Sequence, residues 1–263
     1  MTERYQRQSF LGADSQTAIE SAIVGVIGLG GGGSHIVQQL AHIGFKNFVL
    51  YDHDVVTDTN LNRLIGARAI DVSVKTSKVD LAKNMILGLQ PNANIDGFLC
   101  RWQESPDALK RCQVIFGCIE TYLGRLEVEQ HCRRYLAHYI DIGMDVHDGP
   151  TIGGQIILSS PNSPCMKCMG FITTENLAKE GTAYDQAGAQ PQVVWPNGVL
   201  ASTAVGIAVD LVTGWTKRPK TRGYYRKYDG RNDVLEPPVP QHIPETCPHY
   251  KDEQLGDSTL RMM

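Results

Sequence analysis

The sequence has 263 residues, of which 42% are hydrophobic and 20% are charged, and its formal net charge is −3 at pH 7. This length allows one large domain or two small ones with a substantial core. The weak negative charge argues against nucleic acid as the main partner. No run approaches the length of a membrane span, and the polar start, MTERYQRQSF, lacks the apolar core of a signal peptide. We therefore expect a cytoplasmic protein with no membrane or nucleic-acid partner.

Residues 1–21 form a predicted N-terminal arm that ends in a helix from about Asp14 to Ser21. Arg4 and Arg7 precede this helix. Because arginines in a short polar arm are ordinarily solvated charges, the residues alone assign these two no function.

The next segment, residues 22–63, has the order strand, glycine-rich turn, helix, strand and acid. Ile23–Ile27 is an apolar run of strand length, and a helical pattern follows from Ser34 to Ile43. Gly28, Gly30 and Gly33 satisfy GxGxxG, which lets the backbone turn sharply and approach a phosphate at the N-terminus of the helix. Gly31 belongs to the same loop. The hydroxyl of Ser34 either serves a phosphate or helps to cap the helix.

A second strand, Phe48–Tyr51, leads to Asp52, which lies about twenty residues beyond the glycines, where NAD-binding proteins place a ribose-binding acid. An NAD-dependent dehydrogenase is therefore a rival interpretation. Asn60 and Arg63 follow in DHDVVTDTNLNR. A triphosphate with a leaving pyrophosphate needs such a pair, whereas a dinucleotide does not.

The following residues alternate between helices and strands, which predicts a parallel, doubly wound sheet. A helix is expected over 76–88, with Lys78 near its start and able to reach a phosphate. Strands are expected over 93–99, 113–117 and 139–142, and helices over 105–111 and 122–137. Glu120 follows a central strand at the edge where open α/β sheets bind ligands. It is either a metal or phosphate ligand or an acid that stabilises a helix N-terminus.

The seven cysteines are an odd number in a chain of cytosolic character, which argues against disulfides. Cys165 and Cys168 form a Cys-x-x-Cys pair in a proline-rich turn, a pattern typical of a zinc knuckle. Cys247 and His249, in ETCPHY, are candidates for the remaining two ligands. His242 competes with His249 for the fourth position.

The rest of the chain contains one long apolar helix and a hairpin. Residues 171–195 are polar and aperiodic, so we expect a long connection. A helix rich in small apolar residues is predicted over 200–214, packed on the sheet or at a dimer seam. Strands 224–228 and 233–235 flank Asp229-Gly230, a strong hairpin turn. The polar tail after Gln254 is expected to be disordered.

These motifs together resemble the ThiF/MoeB superfamily, bacterial relatives of ubiquitin-activating enzymes. The resemblance extends from RYQRQ through the glycine loop and YDHDVVTDTNLNR to the Cys-x-x-Cys pair. More narrowly, PCMKCMGFIT, QVVWPNGVLAS and CPHY look like adenylyltransferases found in bacterial operons with ubiquitin-like modifiers. The implied fold is α/β, a Rossmann-like doubly wound and mostly parallel sheet with a zinc knuckle and a C-terminal β extension.

The resemblance implies one adenylation domain over 1–263. Its parts are the arm (1–21), a nucleotide-binding half (22–145), a zinc- and modifier-binding half (146–250) and a tail (251–263). Family members use ATP and Mg²⁺ to adenylate the C-terminal carboxylate of a small ubiquitin-like or sulfur-carrier protein, and they release pyrophosphate. The implied partners are a protein ending in Gly-Gly, a second copy of this chain and a conjugating-enzyme-like protein.

The family's site residues carry over onto this sequence by position. Asp52 holds the ribose, Asn60 and Arg63 contact phosphates, and Lys78 matches the family lysine. Arg7 matches an arginine that crosses a dimer into the partner's site. Glu120 stands where the family has a magnesium-positioning aspartate, and Arg125 also fits the pattern.

Four departures from the family's pattern bear on the chemistry. Glu120 replaces aspartate, Leu64 follows Arg63 in place of glutamine, and the second zinc pair is Cys-Pro-His. No cysteine lies between Cys168 and Cys247, where thioester-forming relatives carry their nucleophile. The sequence thus favours adenylation without a cysteine thioester, and Thr182 is a hypothetical acyl acceptor.

Three alternatives stay open at this point. The chain could activate a small-molecule or tRNA carboxylate, although its charge argues against tRNA. It could be a nucleotide-binding scaffold subunit with weak or no activity; the Glu120 replacement and the missing cysteine keep this alternative open, whereas the intact Arg63 and Lys78 argue against it. The dehydrogenase ranks last, because no nicotinamide-side catalytic pair is evident.

Overall fold

The computed structural model describes residues 3–147, 151–182, 191–219, 223–238, 243–244, 246–250 and 255–256. The strands are β1 (Ile23–Ile27), β2 (Asn47–Tyr51), β3 (Asn94–Phe98), β4 (Val114–Gly117), β5 (His138–His147), β6 (Thr151–Ser159), β7 (Tyr224–Asp229) and β8 (Val234–Glu236). The α-helices are α1 (Ser15–Ser21), α2 (Gly31–Ile43), α3 (Ala69–Ser73), α4 (Lys78–Leu89), α5 (Tyr122–Arg134), α6 (Thr174–Thr182) and α7 (Val194–Thr213). Short 3₁₀ helices span Glu3–Leu11, Asp58–Asn60, Trp102–Glu104 and Pro106–Arg111.

One sheet joins the described strands in the order β3-β2-β1-β4-β5-β6-β7-β8. The pairs from β3 to β5 are parallel, and β5 to β8 pair antiparallel. The predicted α/β class with a mostly parallel sheet and a C-terminal β extension is therefore confirmed. The chain moves outward from β1 in both directions, so the carboxyl ends of β1 and β4 lie side by side at the switch point where such sheets bind ligands.

The central strands are buried on both faces, which explains their nearly continuous apolar sequences. Val24 and Val26 of β1 face a core shared with α2, α4 and α7. Ile27 and the neighbouring Ile115 face a second core beneath α5 and residues 165–172. Successive side chains of each strand face opposite sides of the sheet, so the helices pack in two layers, one on each face.

Two helices begin differently from the prediction. α2 starts at Gly31 rather than Ser34 because Gly28 makes the turn with a φ of +87° and Gly30 caps the helix. α7 starts at Val194 rather than Leu200. Pro196 lies in its first turn, where backbone amides have no intrahelical acceptor, so the missing N–H of proline costs no hydrogen bond.

The prediction of a structureless connection over 171–195 is wrong, because α6 occupies Thr174–Thr182. The polar sequence TENLAKEGT has one large apolar residue, Leu177, so it gives a weak signal for a buried helix face. Among the α6 side chains that the structure describes, Leu177 packs partly against the second core, and this tertiary contact helps to stabilise the helix.

One helix in the described ranges has the length and apolar composition of a membrane span. It is α7, with 20 residues and a mean hydropathy of 1.3. This finding corrects the expectation that no run approaches that length. The buried share of its most apolar window is 61%, and α7 contacts α2, β5 and β6, so the helix contributes to the core.

The N-terminal arm is anchored to the core. Tyr5 and Leu11 are buried, and the side-chain amide of Gln90 donates to the Tyr5 hydroxyl over 2.7 Å. The predicted tail, 251–263, lies outside the described residues except for 255–256.

Candidate active site

The glycine loop turns beneath the start of α2. A Cβ built on Gly28 would lie 2.5 Å from the carbonyl oxygen of Cys118, in the segment after β4, so the two loops of the switch point touch. A Cβ on Gly33 would overlap the carbonyl oxygen of Gly28. Because the cap residue Gly30 has no side-chain acceptor, the first amides of α2 are available to an anion.

Ser34 faces inward from this loop and is 2% exposed. Its hydroxyl donates to the carbonyl of Gly31 over 3.0 Å and accepts from the amide of Ile65 over 3.0 Å. The observed partners of Ser34 are therefore main-chain groups that tie α2 to the segment after Arg63.

Asp52 follows β2 and is 8% exposed. One carboxylate oxygen accepts from the amide of Leu29 over 2.7 Å, and the other accepts from the amide of Asp54 over 2.9 Å. The carboxylate thus joins the end of β2 to the glycine loop, next to the start of α2.

Lys78 is the first residue of α4, which Ser77 caps by accepting from the amide of Asp80. Nζ of Lys78 lies 2.7 Å from Oδ2 of Asp54 and 3.9 Å from Oδ1 of Asp52. Burial would raise the pKa of Asp54, but the hydrogen bond and charge of Lys78 outweigh it and lower this pKa. The ammonium group is therefore held at the carboxyl end of β2.

Asn60 and Arg63 shape the segment opposite the glycine loop. Oδ1 of Asn60 accepts from the amide of Thr57 over 3.1 Å, which closes a short turn. Nη1 of Arg63 donates to the carbonyl of Thr59 over 2.5 Å. A Cβ on Gly31 would lie 3.4 Å from Cδ of Arg63, so the arginine passes beside the first residue of α2.

Glu120 follows β4 and is solvent-exposed. The surrounding protein nevertheless displaces enough water to raise its pKa, and the positive charges of Arg63, Lys78 and Arg125 partly counter this rise. The side-chain amide Nε2 of Gln192 donates to Oε1 of Glu120 over 3.4 Å. The structure therefore brings Arg63, Lys78 and Glu120 into one electrostatic neighbourhood, although they lie far apart in sequence.

Arg125, whose charge also acts on Glu120, points inward. It is 7% exposed, and its Nε lies 3.3 Å from Oδ1 of the fully buried Asp141. Its guanidinium stacks over the rings of Tyr122 and Phe171 at 5.6 and 5.4 Å. Arg125 therefore links the first turn of α5 to Asp141 of β5 and to Phe171.

Arg7 lies exposed in the Glu3–Leu11 segment. Its predicted contact is with a second copy of the chain and stays a prediction. Arg4 donates to the carbonyl of Leu89 over 2.7 Å, which anchors the arm.

Cys165, Cys168, Cys247 and His249 converge, with their ligand atoms within 4.8 Å of one another. The Sγ atoms of Cys165 and Cys168 lie 3.6 Å apart, as do those of Cys168 and Cys247. Nδ1 of His249 lies 3.4 and 3.3 Å from the first two sulfurs. Tetrahedral zinc with metal–sulfur bonds of about 2.3 Å places its ligands about 3.8 Å apart, so this donor set fits zinc. His242 lies outside the described residues.

Sequence reasoning missed a buried network that seats this cluster on α5. Glu129, fully buried, accepts from the amide of Met166 over 2.8 Å and from the hydroxyl of Tyr250 over 3.2 Å. Arg133 donates to the carbonyl of Ser163 over 3.0 Å. Charged residues buried in a helix of mixed composition leave no periodic signal, so only the packing reveals them.

Comparisons with known proteins identify the family of the chain. The ThiF family matches residues 3–248, so the chain belongs to the ThiF family. It is similar to ubiquitin-like modifier-activating enzyme 5 of Oryza sativa subsp. japonica, at 21% identity over 94% of this chain and 61% of that protein. The SAMP-activating enzyme E1 of Haloferax volcanii is 26% identical over 64% of this chain and 61% of its own length.

A third relative is the molybdopterin-synthase adenylyltransferase of Haemophilus influenzae, 24% identical over 66% of this chain and 72% of that protein. The chain spans about three fifths of the length of the first two relatives. Among solved structures, E. coli MccB with ATP matches with a TM-score of 0.75 at 19% identity, over 95% of this chain and 74% of that one. This similarity shows a shared fold.

Proposed function

We propose that the chain is an adenylyltransferase that uses ATP to activate the C-terminal carboxylate of a ubiquitin-like or sulfur-carrier protein ending in Gly-Gly. The products are an acyl-adenylate and pyrophosphate. Membership of the ThiF family supports the reaction class, and the names of the relatives support a protein substrate.

The observation that carries this proposal is that Arg63, which passes beside the first residue of α2, shares one electrostatic neighbourhood with Lys78 and Glu120. Attack of a carboxylate on the α-phosphorus spreads negative charge over the non-bridging and leaving oxygens. Arg63 and Lys78 supply positive charge before the reaction begins, so no reorganisation is needed as that charge develops. In this proposal the amides of α2 bind the phosphates, Asp52 and Asn60 contact the nucleotide, and Arg7 of a second copy completes the site in a homodimer.

Glu120 offers a carboxylate oxygen, the donor type that Mg²⁺ prefers beside phosphates. Bound Mg²⁺ would neutralise charge on the leaving pyrophosphate. For zinc, Cys165, Cys168, Cys247 and His249 form a complete tetrahedral set, which supports a structural site. Zinc there would hold the segment at 247–250 against residues 165–168.

Acyl transfer without a cysteine thioester belongs to the same proposal. The segment between Cys168 and Cys247 contains no cysteine, and α6 lies within it. Thr182, the last residue of α6, is the proposed acceptor: its hydroxyl oxygen would attack the carbonyl of the acyl-adenylate, forming an oxyester and releasing AMP and the hydroxyl proton. Hydroxylamine treatment of the trapped, activated modifier, compared between the wild type and Thr182→Ala, tests this step. An adduct that survives Thr182→Ala excludes that hydroxyl.

ATP–pyrophosphate exchange tests the proposal. Exchange should require a small ubiquitin-like protein ending in Gly-Gly and should disappear when the last glycine of that protein is removed. Arg63→Ala should slow exchange about 100-fold, since one prepositioned donor is worth about 3 kcal/mol. Arg231→Ala, an exposed arginine in the β7–β8 turn, is the matched control and should not change the rate.

Three outcomes contradict these assignments. Exchange that survives Arg63→Ala shows that this residue does not act on the phosphates. ATP binding with no exchange for any Gly-Gly protein favours a nucleotide-binding scaffold subunit. Exchange supported by a small carboxylic acid or a tRNA instead places the substrate in another class.

A further inference from the structure

The last turn of α6 contacts the first turn of α5 through one carboxylate. The amide of Tyr122 donates to Oε1 of Glu180 over 2.7 Å, and the amide of Leu123 donates to Oε2 over 2.8 Å. The two residues lie 58 and 57 positions before Glu180 in the sequence. Glu180 is half-buried, so water competes only partly for these hydrogen bonds.

Glu180 completes the N-terminal cap of α5. The first amides of a helix have no intrahelical acceptor and need one from elsewhere. Thr121, the cap residue, accepts from the amide of Gly124 over 3.1 Å. Glu180 accepts from the amides of Tyr122 and Leu123. Its negative charge also interacts favourably with the positive end of the helix dipole.

This cap lies beside the candidate active site. Glu120 directly precedes the cap residue Thr121, and Arg125 lies in the same first turn of α5. Phe171, three residues before α6, contacts the guanidinium of Arg125 and the ring of Tyr122. The segment that carries α6 therefore contacts the turn from two sides.

We infer that Glu180 is a positioning residue for Glu120, and this inference rests on the proposed function. By binding the Tyr122 and Leu123 amides, Glu180 holds the backbone between β4 and α5 in one conformation. That conformation places the Glu120 carboxylate near Arg63 and Lys78, where it can meet Mg²⁺ on the nucleotide. Glu180 itself contacts neither the metal nor the phosphates.

Direct binding of ATP at increasing Mg²⁺ concentration tests this role without a modifier protein. Glu180→Gln keeps the side-chain length but removes the charge and one acceptor. Its half-saturating Mg²⁺ concentration should rise about tenfold, the lower end of the effect usual for groups that orient a metal ligand. Excess Mg²⁺ should restore the ATP affinity of the wild type.

The matched control is Glu175→Gln on the same helix. Glu175 pairs with Lys179 at the surface over 2.7 Å, so its loss removes a carboxylate from α6 without touching α5. Amide hydrogen exchange supplies a second readout. The peptide that contains Tyr122 and Leu123 should exchange faster in Glu180→Gln than in the wild type and should not change in Glu175→Gln.

The results separate this inference from the proposed function. An unchanged Mg²⁺ midpoint in Glu180→Gln, an equal shift in Glu175→Gln, or unchanged amide exchange at α5 overturns the role of Glu180. Wild-type protein that binds ATP with Mg²⁺ but exchanges no pyrophosphate contradicts the proposed function alone. Wild-type protein that binds no ATP overturns both.

Discussion

Substituting Gly33 with alanine places a methyl group where the structure leaves no room. Its Cβ would lie 2.9 Å from the carbonyl carbon of Gly28 and closer still to that carbonyl's oxygen. Carbon atoms in contact ordinarily lie about 3.5–4.0 Å apart, and both clashing atoms are backbone, so no side chain can rotate away. α2 must retreat from the loop, at an expected cost of about 1–3 kcal/mol. Gly33→Ala should therefore lower Tm by roughly 2–10 °C.

Gly30→Ala separates phosphate binding from folding. A Cβ on Gly30 meets no atom within 4 Å, and its φ is −72°, so Tm should stay within about 2 °C of the wild type. The methyl group projects into open space at the start of α2, where we place the phosphates. ATP affinity should fall at least about tenfold, or about 1.4 kcal/mol.

Thermal unfolding and ATP titration of both variants check this reasoning. Gly206→Ala, an exposed helical glycine that also has no atom within 4 Å of a built Cβ, is the control and should retain wild-type ATP affinity. Normal ATP affinity in Gly30→Ala would refute the phosphate position. An unchanged Tm in Gly33→Ala would refute the argument from close approach.

Three further predictions concern the interior and the thiol cluster. Purified protein should contain one zinc ion per chain by elemental analysis, and the Cys247→Ser variant should contain much less zinc. A chelator should lower the Tm of the wild type but not the Tm of this variant. Nε of the buried Arg133 lies 3.8 Å from Oε1 of Glu129. Glu129→Ala should therefore lower stability by about 3–5 kcal/mol in urea unfolding, because it leaves the Arg133 charge buried without this carboxylate; a change below about 1 kcal/mol would contradict this. Burial, aided by Lys110, lowers the pKa of His131 from 6.5 to about 4. The neutral ring therefore stabilises the fold above pH 6.5, and this contribution is lost as the pH falls toward 4, so the urea midpoint of His131→Phe should depend less on pH over that range.

The strands around the glycine loop could be predicted because their signal is local. β1 and β2 are short runs of β-branched and aromatic residues. The β7–β8 hairpin was also predicted, but its turn spans residues 230–233, because Asp229 is still paired with Val234 in the strands. The glycine spacing likewise reports backbone geometry directly, since a glycine adopts the positive φ of Gly28 without steric cost and leaves room for the carbonyl oxygen of Cys118.

α6 could not be predicted because its stabilising contacts are non-local. Its sequence is polar, and its last turn is held by the bonds from Glu180 to amides 57 and 58 residues away. The start of α7 was missed for a related reason. Trp195 is 56% exposed, so the first turn of this helix shows no apolar face that a periodic pattern could detect.

By itself, the sequence determined which chemical groups the candidate site contains: a glycine-rich loop, two cations, a carboxylate and a Cys-x-x-Cys pair. Only the tertiary structure decided which of them meet. Arg63, Lys78 and Glu120 come together because the carboxyl ends of parallel strands share one edge of the sheet. Cys247 and His249 reach Cys165 and Cys168 across about 80 residues of chain. Spacing along a chain reveals local geometry, whereas proximity between distant residues depends on how the strands and helices pack.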